Sequence, residues 1–159
     1  MFSKEERSTF KYWFAHVFAF NMTALNLKAW KFKYLFHDWY KPWLRLFLPY
    51  EKVQRFHRTH SRHHLEWLEI NPINKRALKF DWEAMLIDWE CSRFTKKVSQ
   101  LNAYDVYLKQ IEGYRVEALK YSKEGNIDGQ NWNSWMMNKL TIYGQLYLNR
   151  LGLIKKESE

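Results

Sequence analysis

The chain has 159 residues, which is a typical length for one domain. Its single cysteine, Cys91, excludes an internal disulfide framework and a metal site built from cysteines, and it is typical of a reducing compartment. Gly (five) and Pro (three) are too scarce for an all-β fold with many tight turns. The formal net charge is +9, and the segment from Lys28 to His64 carries an excess of +7. Such a segment forms either a solvated basic face or a binding site for an anion.

The sequence predicts no membrane-spanning helix and no secretory signal. The longest stretch without Asp, Glu, Lys or Arg, Tyr12–Leu27, contains four polar residues, whereas a spanning helix needs about 20 mostly apolar residues. The N-terminal segment carries Glu5 and Glu6, and no small-residue cleavage site follows it. We therefore expect a cytoplasmic protein without a membrane partner.

Helical periodicity and capping residues predict an all-α fold of about six helices. In chain order, these helices span about Lys4–Phe20, Asn21 or Thr23 to Trp39, Glu51–Glu69, Asn74–Phe94, Asn102–Lys123, and Asn131 or Asn133 to Leu151. Pro42 and Pro49 bracket an irregular link, and Pro49 suits the start of the third helix. Asn71–Pro72 is expected to end the third helix and Gly125 the fifth. One helical domain is expected over residues 1–153, with a polar tail at 154–159.

The distribution of histidine is the most informative feature of the sequence. All six histidines lie between residues 16 and 64, and the last 95 residues contain none. On the third predicted helix, His57, His60 and His64 share one face, while His63 points about a quarter-turn away. Histidine is the commonest neutral metal ligand, so this clustering favours a metal site.

A His-Asp pair, His37–Asp38, lies on the second predicted helix. Adjacent residues of a helix diverge by about 100°, so both could meet one ion only at their shared edge. The pair alone is a weak signal, but His16 upstream and Asp88 downstream make the pattern more specific. Asp81, seven residues before Asp88 on the same predicted helix face, is the alternative to Asp88.

This constellation resembles the HD-domain superfamily of metal-dependent phosphohydrolases. That all-helical family has a histidine on one helix, a His-Asp pair on the next, further histidines in many members, and a distant aspartate. The matching positions are His16, His37–Asp38 and Asp88, and Lys41 matches a lysine that often follows the pair. The resemblance implies a single HD-like helical domain that hydrolyses a phosphate ester.

Two further segments resemble a small uncharacterised HD-like family. His57–Trp67 is similar to its histidine-rich helix, and Met85–Ser92 is similar to its Met-x-x-Asp-Trp segment. The chain departs from this family at Ser61, where Asn is usual, and at Trp39–Tyr40, where Leu-Ser is usual. The departures leave the metal-ligand positions intact.

The resemblance implies a site for one or two divalent transition ions. Imidazoles with carboxylates suit Mn²⁺, Fe²⁺, Co²⁺, Ni²⁺ or Zn²⁺. The first ion would take His16, His37, Asp38 and Asp88, while His57, His63 or His64 would hold a second ion or hydrogen-bond the phosphate. A metal-bound hydroxide would attack phosphorus, with the water oriented by Asp38 or by a carboxylate outside the ligand set. The residues expected to neutralise the phosphoryl charge are Lys41, Arg58 and Arg62.

A small phosphorylated molecule, above all a nucleotide, is the expected substrate, and other functions stay open. The same ligands could hold two irons in an HD-like oxygenase. Alternatively, the basic segment could bind single-stranded nucleic acid or a nucleotide without catalysis, with stacking by Trp30, Tyr34, Trp39 and Trp43. Bound metal and the salt dependence of binding would distinguish these functions.

Overall fold

The computed structural model describes residues 10–70, 79–95 and 101–154. Regular structure within these ranges is helical and contains no strand, so the predicted all-α fold is confirmed. The helices are α1 (Phe10–Asn26), a 3-10 helix (Phe32–Phe36), α2 (Lys41–Arg45), α3 (Tyr50–His60), α4 (Leu65–Ile70), α5 (Trp82–Thr95), α6 (Ala103–Lys123), α7 (Ile127–Lys139), a π-helical turn (Leu140–Gly144) and α8 (Gln145–Arg150). None of the helices in the described ranges has the length and apolar character that a bilayer crossing requires.

The chain divides into two compact units, Met1–Gln100 and Leu101–Glu159. The division falls inside the range expected to be one domain, 1–153, and the single HD-like domain stays a prediction. Of the expected polar tail, residues 154–159, only Ile154 belongs to the described residues. All the candidate site residues belong to the first unit.

The first helix ends six residues later than the sequence predicts, and the expected second helix is absent. Asn21 and Thr23, the expected caps, lie inside α1 because Phe20, Thr23 and Ala24 are all buried along one face. The helix ends after Asn26, where Lys28 adopts the left-handed conformation (φ 54°) that is common just after a helix. The chain then forms the 3-10 helix and leaves it at His37.

The expected third helix is interrupted between His60 and Leu65. Pro49 precedes α3 as expected, but Ser61 adopts an extended conformation (ψ 124°) and ends the helix. The Ser61 hydroxyl contacts the His57 ring, at 2.9 Å from Nδ1, which is a local bond of the kind that competes with helix continuation. Pro42 lies in the first turn of α2 and not in an irregular link.

Helices α1 and α5 pack together in the first unit and bring His16 close to Asp88. Residues 79–81 are not helical, so α5 begins later than the sequence predicts. Asp81 accepts a hydrogen bond from the Ala84 amide (3.1 Å), as residues just before a helix commonly do. The expected boundary residues Asn71, Pro72 and Asn74 lie outside the described residues.

The second unit consists mainly of α6 and α7, and the sequence predicts α6 well. Asn102 accepts from the Asp105 amide at 2.8 Å, and Gly125 follows the helix with φ 69°. Helix α7 starts earlier than predicted because Asn126, and not Asn131 or Asn133, accepts from a first-turn amide, that of Gly129. Helical structure then continues through the π-helical turn to Arg150.

Candidate metal centre

Seven imidazole and carboxylate side chains meet in the first unit, and they are the seven residues that the sequence proposes as metal ligands. They come from four separate parts of the chain: α1, the turn after the 3-10 helix, the end of α3 with the turn that follows it, and α5. They are His16, His37, Asp38, His57, His63, His64 and Asp88. All are buried except His63 and His64, which are partly buried.

The Asp38 carboxylate lies between two groups of these side chains. Its Oδ2 atom is 3.8 Å from His16 Nε2 and 3.5 Å from His37 Nε2. Its Oδ1 atom is 3.3 Å from His57 Nε2 and 3.8 Å from His63 Nε2. One carboxylate therefore presents a different oxygen to each pair of imidazoles.

Asp88 completes the group on the Oδ2 side. Its Oδ1 atom is 3.1 Å from His16 Nε2 and 4.0 Å from His37 Nε2. Ligand atoms of His16, His37 and Asp38 lie within 4.8 Å of one another. Two imidazoles and two carboxylates thus form one donor set of nitrogen and oxygen atoms, which suits a divalent transition ion.

The group on the Oδ1 side contains the remaining imidazoles. Ligand atoms of His57, His63 and His64 lie within 4.8 Å of one another, and the Nε2 atoms of His57 and His64 are 2.7 Å apart. Because α3 ends at His60, the chain turns and brings His63 towards Asp38. Helical periodicity therefore wrongly groups His60, which is exposed and stacks on Phe56, with His57 and His64.

The backbone at Asp38 explains how two consecutive residues contribute to the same site. Asp38 has φ 58°, a left-handed conformation that few residues other than Gly, Asn and Asp adopt. This conformation removes the roughly 100° divergence that a helix would impose on His37 and Asp38. The Trp13 indole donates to the Asp38 carbonyl (3.0 Å) and the Lys41 amide does the same (3.0 Å), which holds the turn in place.

Three buried ligand atoms form no hydrogen bond: His37 Nε2, Asp38 Oδ1 and His63 Nε2. A buried polar atom without a partner costs about 1–3 kcal/mol, and such atoms are rare in native proteins. All three belong to the two donor groups, where an ion would satisfy them together. The arrangement therefore fits a metal centre better than a hydrogen-bonded polar core.

Asp38 and the four histidines His37, His57, His63 and His64 have the protonation states that metal ligands require. Burial lowers the pKa of His37 to about 3 and that of His64 to about 3, and it also lowers the pKa of His57 and His63. Burial alone would raise the pKa of Asp38, but the surrounding imidazoles and the Lys41 ammonium hold it well below its usual range. Neutral imidazoles and an ionised carboxylate are therefore present at neutral pH.

These pKa shifts predict that the chelator-treated protein loses stability in mild acid. Below the unfolded histidine pKa of about 6.5, the unfolded chain binds protons that buried His37 and His64 do not bind. The free energy of unfolding should fall by up to about 1.4 kcal/mol per pH unit for each such histidine. Urea midpoints measured from about pH 7 to about pH 5 would test this, and a constant midpoint would contradict it.

Tyr40 and Ser61 support the site, although the sequence predicts no role for either residue. The Tyr40 hydroxyl is 2.7 Å from His57 Nδ1 and 2.6 Å from the Ser61 hydroxyl. These contacts occupy Nδ1 of His57 and leave its Nε2 atom facing Asp38. Both residues are departures from the pattern of the small HD-like family. The sequence alone could not predict that Tyr40 and Ser61 contact each other.

A cavity of about 840 Å³ adjoins the two donor groups. Its lining includes His64 and Asp88 from the candidate centre, together with Lys41 and Arg58. The Lys41 ammonium also lies 2.5 Å from Asp38 Oδ2, and Arg58 pairs with Glu66. Two of the three basic residues expected to contact phosphate therefore lie at the cavity.

Arg62 is not brought to the cavity. The helical spacing expected to align Arg58 with Arg62 is lost because α3 ends at His60. Arg62 is exposed, and its guanidinium carbon lies 6.0 Å from the centre of the Trp67 ring. The structure gives no support to a phosphate contact by Arg62.

Asp81 and Cys91 occupy structural positions beside the site. Asp81 pairs with Lys33 and caps α5, so it does not replace Asp88 among the candidate ligands. Cys91 is fully buried, as expected of a small core residue, and its thiol donates to the Asp88 carbonyl (3.3 Å). The Cys91 sulfur also lies 3.9 Å from His16 Nδ1, next to the first donor group.

Comparison with protein-family models, with curated proteins and with solved structures finds no match to this chain.

Proposed function

We propose that this protein is a metal-dependent phosphohydrolase of the HD type, with two divalent ions in the candidate metal centre. The observation that carries the proposal is the position of Asp38, whose two oxygens face two separate pairs of imidazoles. A carboxylate in this position suits a bridging ligand between two ions. His16, His37 and Asp88 would complete one ion site, and His57, His63 and His64 would complete the other.

Two such ions would lower the pKa of a coordinated water and offset negative charge on phosphoryl oxygens. The protein's own residues fix the geometry that this chemistry needs. Tyr40 and Ser61 hold the His57 ring through Nδ1, and Trp13 holds the Asp38 backbone. A ring fixed in this way presents a defined nitrogen to the site.

The cavity beside the centre supports a phosphate ester as substrate. Four basic residues line it: Lys41, Arg45, Arg55 and Arg58. Basic groups next to a metal centre stabilise the charge that develops during phosphoryl transfer. Aromatic side chains of Tyr12, Trp13 and Trp89 also line the cavity and offer surfaces on which a nucleobase could stack. A nucleotide or a related small phosphate ester is therefore the proposed substrate.

The direct test is elemental analysis of the purified protein, followed by a phosphatase screen. We expect up to two divalent transition ions per chain and hydrolysis of a nucleotide when Mn²⁺, Co²⁺ or Ni²⁺ is added. A metal-loaded protein that hydrolyses no phosphate ester would contradict the proposed reaction, and a protein that binds no divalent ion would contradict the site.

The second candidate is an HD-like di-iron oxygenase, because its nitrogen and oxygen ligands would be the same side chains. The observation that favours it is the neutral state of the imidazoles, which suits Fe²⁺ as well as Mn²⁺. Iron-loaded, coloured protein that consumes oxygen and lacks phosphatase activity would favour the oxygenase. The four basic residues around the cavity favour the phosphohydrolase.

One of the four residues expected to stack on bases is not accessible, which weakens the proposal of non-catalytic nucleic-acid binding. Tyr34, one of the four residues expected to stack on bases, is buried, and its hydroxyl donates to Glu83 at 2.8 Å. Trp30, Trp39 and Trp43 are exposed.

Replacing Lys41 by alanine should lower kcat/KM about ten- to a hundredfold while the bound metal stays in place. Lys41 lines the cavity and pairs with Asp38 Oδ2, the oxygen that faces His16. Removal of Lys41 therefore takes positive charge from the proposed reaction site. Turnover and metal content would be measured on the same preparation. Arg62→Ala is the matched control and should retain wild-type turnover, because Arg62 lies apart from the cavity. Equal losses in both variants would contradict this assignment.

A further inference from the structure

Residues 10–47 expose an unusual number of large apolar side chains. On α1 they recur almost every fourth residue, at Phe10, Phe14, Phe18, Met22 and Leu25, and so lie along one side of the helix. The following segment exposes Trp30, Phe32, Leu35, Phe36, Trp39, Trp43, Leu46 and Phe47. We call these thirteen residues the aromatic face. Phe18 and Phe47 are 69% and 83% exposed, so neither contributes much to the core.

The two parts of the aromatic face adjoin each other. The Trp30 indole donates to the Asn21 side chain (2.8 Å), near the end of α1. Eight residues after Trp30, the Asp38 carbonyl accepts a hydrogen bond from the Trp13 indole, near the start of α1. The segment from Trp30 to Asp38 therefore runs antiparallel along the flank of α1. The exposed side chains of the segment and those of α1 therefore belong to neighbouring parts of the first unit.

The charges in this region are almost all positive. Between residues 10 and 50 the sequence has six basic residues and a single acidic residue, Asp38. Asp38 is buried, so this stretch of chain contributes no carboxylate to the surface. Asp81 and Glu83 of the neighbouring part of the chain pair with Lys33 and Lys31. Lys11, Lys28 and Arg45 are exposed without an ion pair among the described residues.

These properties fit a lipid surface better than another protein or a nucleic acid. Protein–protein interfaces are depleted in Lys, and stacking on bases has no use for the aliphatic side chains Met22, Leu25, Leu35 and Leu46. Tryptophans are enriched at the boundary between water and lipid, and Lys and Arg attract anionic headgroups. Because no described helix could cross a bilayer, contact would be with its surface.

We infer that the aromatic face binds the surface of an anionic membrane, with its apolar side chains at the headgroup boundary and the neighbouring Lys11, Lys28 and Arg45 against acidic lipids. Phe10 and Arg45 belong to this region and also line the cavity beside the candidate metal centre. A protein lying on this face would therefore hold one edge of the cavity near the lipid surface. The inference does not depend on the proposed phosphohydrolase activity.

The test is co-sedimentation of the full chain with phosphatidylcholine vesicles that contain or lack phosphatidylglycerol. We expect binding to the anionic vesicles that weakens with salt, and little binding to phosphatidylcholine alone. Phe18→Asn and Phe47→Asn should each weaken binding about tenfold, because each removes an apolar side chain that contacts lipid. Ile127→Asn is the matched control: Ile127 is 68% exposed in the second unit and should not affect binding.

Each alternative occupant gives a distinct result. No binding to anionic vesicles would overturn the inference, as would equal losses for Phe18→Asn and Ile127→Asn. A stable dimer in solution that Phe18→Asn converts to monomer would assign the face to a second copy of the chain. Salt-sensitive binding of single-stranded oligonucleotide, lost in Phe47→Asn without vesicle binding, would assign it to nucleic acid. Wild-type circular dichroism of both variants would exclude misfolding as the cause.

Discussion

Replacing Asp38 by asparagine should release both metal ions from the proposed centre. The Asp38 carboxylate faces His16 and His37 with one oxygen and His57 and His63 with the other. Asparagine keeps the size of the side chain and tolerates the left-handed backbone at this position, so the fold should survive. Because it offers one neutral oxygen in place of a bridging carboxylate, the affinity for metal should fall more than about a hundredfold. Elemental analysis and metal titration would measure this.

Variants of single donor groups make the test more specific. Asp88→Asn should remove the ion on the His16 side and leave the other, because Asp88 Oδ1 lies 3.1 Å from His16 Nε2. His63→Ala should have the converse effect, since His63 belongs to the group with His57 and His64. One ion per chain in each variant, and none in Asp38→Asn, would be expected of two sites that share one carboxylate.

Asp81→Asn is the control variant, because it removes the charge of a carboxylate that lies beside the site but is not a candidate ligand. Asp81 pairs with Lys33 and caps α5, so this variant should lose some stability and retain both ions. A folded Asp38→Asn protein that retains both ions would contradict the shared-carboxylate site. Loss of metal from Asp81→Asn would show that Asp81, and not Asp88, is the metal ligand.

The sequence predicted the identity of the candidate ligands better than their local structure. His37 and Asp38 were placed on a helix, yet they lie in a turn after a 3-10 helix, with Asp38 at φ 58°. Helical periodicity cannot reveal a left-handed residue, because this conformation depends on tertiary bonds such as that from Trp13 to the Asp38 carbonyl. The resemblance to the HD superfamily depends on residue identity and order, not on local conformation, and it stays a prediction.

A local backbone change that periodicity cannot reveal also explains which histidines of the third predicted helix reach the site. A continuous third helix would have placed His60 with His57 and His64, and His63 aside. The end of α3 at His60 reverses the positions of His60 and His63. The contacts of Tyr40 with His57 and Ser61 could not be predicted either, because they join residues 17 and 21 positions apart. By contrast, the start and end of α6 depend on the local residues Asn102 and Gly125, and the sequence predicted both.

Removing the metal should lower the melting temperature of the protein by about 5–10 °C. A ligand that binds the folded state alone stabilises it by about 2.7 kcal/mol at a free concentration of one hundred times its Kd. For a chain of this length, each kcal/mol corresponds to roughly 2–4 °C. The ligands come from α1, α3, α5 and two turns, so the unfolded chain has no preformed site. Thermal melts with and without chelator, at the same pH, would measure the difference.

Asp38→Asn separates this effect from a direct action of the chelator. If the proposed centre supplies the stabilisation, the variant should melt at one temperature whether or not chelator is present. The metal-free wild type retains His37 Nε2 and His63 Nε2 as buried atoms without hydrogen bonds, and adding back Mn²⁺ or Co²⁺ should restore its melting temperature. An unchanged wild-type melting curve, in protein shown by elemental analysis to have lost its metal, would mean that the ions do not occupy this buried site. The coupling therefore tests the location of the metal independently of any enzymatic activity.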